Sequence, residues 1–211
     1  MYKDIILLTT SKKSGNYCIA GVEKERGNWI RIISEDDRIQ HAIRSEDMIY
    51  ENGNKPQIMD IVRIKCKGIK PNYYQPENYI LDNSVSWQKI GRTNIQELLN
   101  IHCAENKQFV FFNSDKYIDS EFIKTLNDEE KYSLTLISPE DVCIHVKRWP
   151  ERQQITMSFI YNGYRYNFMP ITDTEFENIY LKYQDGNYNY QDNCLLVISL
   201  GDIYEKDYEA L

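Results

Sequence analysis

Hydrophobic and polar positions alternate along this chain in short runs, and the runs predict strands more often than helices. The first three fall at 5–9, 17–22 and 29–33, joined by a lysine-bearing turn at Ser14-Gly15 and by a turn over 23–28 that contains Gly27. Residues 34–56 are polar and acidic and read as a long loop with a helical turn near Ala42. Alternation resumes at 58–67, where Ile58, Ile64 and Cys66 oppose Arg63, Lys65 and Lys67; this predicts a half-buried strand with a cationic outer face. Pro71 and Pro76 interrupt regular structure, leaving an aromatic-rich loop through Tyr79. Thr93, with Gln96 three residues on, predicts a capped helix to about Ile101. A strand at 109–112 and a short helix at 119–126 complete the first half.

The charged break at 127–131 places a domain boundary, dividing the chain into units 1–128 and 129–211. Strands are expected at 134–137, 142–149, 154–161 and 164–169. The last two flank Asn162-Gly163, a pair that accepts the positive φ of a type I′ turn. Thr172 and Glu175 cap a helix to about Tyr183, Asp185-Gly186 turns the chain, and 195–200 forms another strand. Three strands, a helix and a strand is the order of an OB-fold, its fifth strand supplied by 134–137 or by 203–208. The fold class is therefore mainly β with a few helices, as two OB-like β-barrels in one chain.

Charge sharpens this picture. The net charge of −7 argues against a wholly basic nucleic-acid-binding surface. Yet residues 61–70 hold four cations and no acid, whereas 171–211 hold nine acids and two cations. Basic strands on an acidic body could form a cationic sheet face, or could protect edge strands from aggregation. Seventeen tyrosines suit half-exposed sheet surfaces and binding faces. The five cysteines are odd in number and widely spaced, without zinc-ligand spacing. With no apolar run of membrane-spanning length and no signal-peptide pattern, the reading is reduced, cytoplasmic and metal-free, with no cofactor.

The segments 6–21 (ILLTTSKKSGNYCIAG), Gly27-Asn-Trp-Ile-Arg31, Pro56-Gln-Ile-Met-Asp-Ile-Val62, Gln75-Pro-Glu-Asn78 and Val197-Ile-Ser-Leu-Gly201 occur here in an order that resembles the bacterial dual OB domain-containing proteins. The likeness spans nearly the whole chain and is strongest over 4–80. It departs from the family pattern at Ile32-Ile33-Ser34, where a proline is expected, and in having one glycine in the lysine-rich turn. The resemblance implies two OB-like barrels, binding of nucleic acid or nucleotide, and a role in bacterial conflict or defence. It brings no catalytic residues.

The candidate nucleic-acid-binding residues are Lys12, Lys13, Tyr17, Trp29, Arg31, Arg63 and Lys65, because OB-type binders of single strands pair a cationic groove with aromatic stacking faces. Trp29 could instead fill the barrel core, with Arg31 turned inward to an acid such as Asp60. Gln75, Glu77 and Asn78 form a possible ligand loop, or a loop that satisfies its own backbone. Lys147, Arg148, Trp149, Arg152 and Arg165 could form a second phosphate-tracking patch, or a charged edge. His41, His102 and His145 lie in separate elements, and no catalytic motif is present. The expected function is non-enzymatic binding of single-stranded nucleic acid or a nucleotide. The rival is a protein partner held by the acidic, tyrosine-rich surface.

Overall fold

The computed structural model describes residues 1–149 and 152–202. Strands β1 (Tyr2–Lys13), β2 (Asn16–Glu23) and β3 (Trp29–Ile33) form a meander. After 3-10 turns at Asp37–Ile39 and Ser45–Asp47 come β4 (Asp60–Ile69), β5 (Asn78–Leu81) and β6 (Gln88–Arg92). β1 pairs with both β2 and β4, and β3 runs parallel to β5, so the order β1-β2-β3-β5-β4 closes on itself. That is the five-stranded Greek-key barrel of an OB-fold. β6 extends the sheet along β4.

Alternation sets the inside of the barrel: Ile5, Leu7, Ile19, Ile30, Ile32, Val62, Ile64 and Trp87 share one core. Gly21 is required where β2 crosses β1, since a Cβ there would stand 2.1 Å from the Ile6 carbonyl oxygen. Gly27 has φ of +70° and faces the Ile101 carbonyl, where a Cβ would meet the oxygen at 2.4 Å.

Helices α1 (Ile95–Ile101) and α2 (Ser120–Thr125) follow. Asn94, not Thr93, caps α1 by accepting from the Glu97 N–H, while Thr93 hydrogen-bonds the Glu97 carboxylate. The expected strand at 109–112 is irregular chain. Its neighbourhood is held by tyrosine hydroxyls: Tyr161 bonds Glu105 and Lys107, and Tyr166 bonds Val110 and Asn113. Side chains thus replace the ladder that a strand would have used.

The second half begins with β7 (Leu134–Ile137), β8 (Glu140–Trp149), β9 (Arg152–Tyr161) and β10 (Tyr164–Pro170). α3 (Thr174–Tyr180), capped by Asp173, leads to β11 (Gly186–Asn189) and β12 (Leu196–Ser199). The sheet order β10-β9-β8-β11 is that of OB strands three, two, one and four. β11 occupies the stretch expected to be a turn, and β12 pairs antiparallel with β7 in a separate ribbon. The alternative fifth strand at 203–208 lies outside the described residues. A second core gathers Val142, Ile144, Ile155, Phe159, Tyr161 and Tyr166.

The two halves share a third core, in which Ile6, Leu8, Val22 and Trp29 of the barrel wall pack with Leu98 of α1, Leu136 of β7 and Val197 of β12. No helix among the described residues is long and apolar enough to cross a membrane. Gly21→Ala should lower stability by about 2–3 kcal/mol through the forced separation of β1 and β2. Chemical denaturation measures this, and a loss under about 0.5 kcal/mol would refute the close crossing.

Candidate nucleic-acid interface

The sequence-predicted residues do not assemble on one wall of the first barrel. Arg63 and Lys65 project from β4, where Arg63 grips Asp4 through two 2.8 Å hydrogen bonds and Lys65 pairs with Asp82 at 3.0 Å. Hydrogen bonds from Ser84 and Lys65 hold Asp82 down at about 2, and the Arg63 guanidinium keeps Asp4 below the usual carboxylate range. Lys12 reaches Glu177 of α3 at 2.5 Å, and Lys13 pairs with Asp202 at 2.9 Å. Each of these cations is already neutralised by an acid of the chain, so phosphate contact would require an exchange of partners.

Trp29 lies outside the barrel core yet is covered. Its indole meets His102 edge-on at 5.0 Å and donates to Glu105 at 3.2 Å. Arg31 is 3% exposed. It faces away from the barrel interior and donates to Ser133 Oγ at 2.7 Å, the Ser133 carbonyl at 3.3 Å and Cys18 Sγ at 3.1 Å. Ser133 passes the contact on to Glu77 Oε1 at 2.7 Å. Asp60, the inward partner expected for Arg31, pairs instead with Lys89 and Arg92.

The β2–β3 face and the loops beside it form the usual ligand surface of an OB-fold. In this barrel the second half of the chain covers that face, and Trp29 and Arg31 serve the covering. The sequence could not disclose this, because Ser133 and Leu136 are far away along the chain.

Five predicted residues do meet: Lys13, Tyr17, Arg31, Gln75 and Asn78 border one small cavity of about 40 Å³. Gln75 accepts from Asn72 and Asn78, so most of this loop satisfies its own polar groups. A larger open cleft of about 1050 Å³ lies where Tyr17, Tyr50, Lys55, Trp87 and Lys89 converge with Glu175. Tyr50 donates to Asp60 at 2.8 Å on the wall of this cleft. Burial alone would raise the Asp60 pKa, but hydrogen bonds from Lys89, Tyr50 and the Gln57 N–H outweigh it and hold the carboxyl below its ordinary value.

On the equivalent face of the second unit Arg165 and Phe168 of β10 are exposed, while Thr156 and Ser158 of β9 are buried. β10 carries one residue more than β9 between the pairs Tyr166–Phe159 and Met169–Met157, a β-bulge. Within it, Phe168 takes φ of +53° and is 56% exposed. A bulky side chain in the left-handed region is uncommon and costs about 1–2 kcal/mol. The local network holds it there. Ser158 Oγ accepts from the Phe168 N–H at 3.1 Å and contacts His145 Nε2 at 2.7 Å, while His145 Nδ1 contacts Asn187 Oδ1 at 2.7 Å.

With Asn187 accepting from Nδ1–H, the ring's Nε2 accepts the Ser158 hydroxyl and every member is satisfied. The His145 ring lies 4.7 Å from Phe168. Lys147, 4.0 Å from the Trp149 ring, and Arg165, which lies 3.4 Å from the Asp141 carboxylate, are exposed on the same sheet. Arg148, expected in this patch, is engaged by Asp185 and by backbone carbonyls. The Arg152 side chain lies outside the described residues. Sequence reading named the Lys147–Trp149 patch but missed Phe168; a bulge leaves little trace in alternation.

A closed barrel joined to a second sheet in the same strand order defines an OB-fold binding module. The chain belongs to the dual OB-containing domain family, whose model matches residues 3–210. No curated protein and no solved structure matches it.

Two predictions test this geometry. Ser133→Ala should cost about 1–3 kcal/mol by removing the buried hydroxyl that bridges Arg31 and Glu77, as read by denaturant unfolding; no change would show that the contact is dispensable. Because the folded Asp60 pKa is depressed, its contribution is complete above about pH 4 and disappears as pH falls through the folded value. Asp60→Asn should therefore flatten the fall of Tm below about pH 4, and an unaltered slope would contradict the assignment.

Proposed function

We propose that this protein is a non-enzymatic module that binds single-stranded nucleic acid on the exposed β9–β10 face of its second unit. The carrying observation is Phe168, a ring presented outward by a bulge at a backbone conformation that costs stability. Strain of this kind clusters at ligand clamps. A base would stack on Phe168, whose orientation is fixed by Ser158 and His145, and Trp149 offers a second ring. Lys147 would neutralise the passing backbone, joined by Arg165 once it exchanges Asp141 for a phosphate. With so few cations, affinity rests more on stacking than on charge, which accords with a net charge of −7. A role in bacterial conflict or defence belongs to the same proposal and rests on the family alone.

Phe168→Gly should weaken binding of a fluorescein-labelled dT oligonucleotide at least about fivefold, as expected from losing one stacked base. Glycine accepts the positive φ, so Tm should hold or rise. Anisotropy and thermal melts of the same samples separate the outcomes. Intact oligonucleotide binding in the variant would reject the platform. Binding that is insensitive to Phe168 and to salt, together with capture of a protein partner by the chain's own acidic, tyrosine-rich surface, would favour the rival interaction role.

A further inference from the structure

The small cavity on the first barrel holds a charge problem that the sheet reading does not touch. Arg31 is a guanidinium at 3% exposure, and a buried charge is expensive unless compensated. Among the described residues its hydrogen-bond partners are a thiol, a carbonyl and a hydroxyl, and Glu77 reaches it only through Ser133. Among the described residues its Nε–H has no acceptor, and Asn78 Oδ1 beside the same cavity has no donor. The carboxylate at the cavity that meets a cation there is Asp202, held by Lys13 at 2.9 Å, with both side chains partly exposed.

We propose that Arg31 and Lys13 form a binding site for a phosphate-type oxyanion, and that Asp202 is its internal competitor. The cavity of about 40 Å³ has room for roughly one water molecule. A tetrahedral oxyanion therefore enters only when the Asp202 carboxylate leaves Lys13. Arg31, held through Nη2 by Ser133, supplies its unpartnered Nε–H, a charged donor suited to a phosphate oxygen. Lys13 supplies a mobile point charge at the mouth. Asp202 sets the threshold, since any incoming anion must outcompete a carboxylate already in place. The site stands apart from the β9–β10 face and does not depend on it.

The test uses the full chain and inorganic phosphate, titrated by calorimetry at constant ionic strength. Wild type should bind weakly, Asp202→Asn at least about tenfold more tightly, and Lys13→Ala in the Asp202→Asn background should return to wild-type weakness or below. Melting curves without phosphate should agree among the three, because both side chains are partly exposed and lie outside the apolar cores. Adenosine 5′-monophosphate and a 5′-phosphorylated dT oligonucleotide, each compared with its unphosphorylated form, distinguish free phosphate from a nucleotide terminus as the source. Equal phosphate affinity in wild type and Asp202→Asn, or no effect of Lys13→Ala, would overturn the proposal.

Discussion

The burial of Arg31 against Ser133 constrains the rest of this molecule. A guanidinium on the outer wall of the first barrel is withdrawn from water and held through one nitrogen by a residue from the second half. Such a contact adds little net attraction, but breaking it leaves a charge stranded, so it specifies one docking arrangement. Around it the apolar contacts of Ile6, Val22 and Trp29 with Leu136 and Val197 supply the driving force. The surface that an OB-fold ordinarily offers to a ligand becomes an internal interface. The molecule's two OB-like units are therefore unequal, one closed and covered, the other presenting its sheet.

Electrostatics follows the same division. The cations on β1 and β4 sit within reach of Asp4, Asp82, Glu177 and Asp202, so the basic strands visible in the sequence become neutralised surfaces. What remains for recognition is a set of rings and polar side chains with a few exposed cations. On the second sheet, a row of hydrogen bonds from Asn187 through His145 to Ser158 crosses the strands and ends at the Phe168 backbone. His145, one of three histidines that the sequence leaves in separate elements, thus supports an exposed aromatic.

Much of the fold was legible because local pattern and tertiary structure agree. Strands β1 to β4 and β8 to β10 follow alternation, and Asn162-Gly163 marks its hairpin through positive φ at both residues. β5, β6 and β11 were not legible: Asn78–Leu81, Gln88–Arg92 and Gly186–Asn189 are short, polar or interrupted, and partners distant in sequence hold them in place. The candidate site was legible in kind but not in place. Alternation correctly put Trp29 and Arg31 on one side of β3, yet could not reveal that Ser133, His102 and Glu105 would close over that side. Phe168 escaped because a single extra residue in β10 reverses which face a ring occupies.

Hydrogen–deuterium exchange with and without a saturating dT oligonucleotide tests this division of labour most directly. Protection confined to residues 154–170, with no change over 17–33, is the expected result. Protection over 17–33, accompanied by faster exchange in 134–137 and 196–199, would show that the ligand displaces the covering ribbon and takes the first barrel's face, contradicting the account.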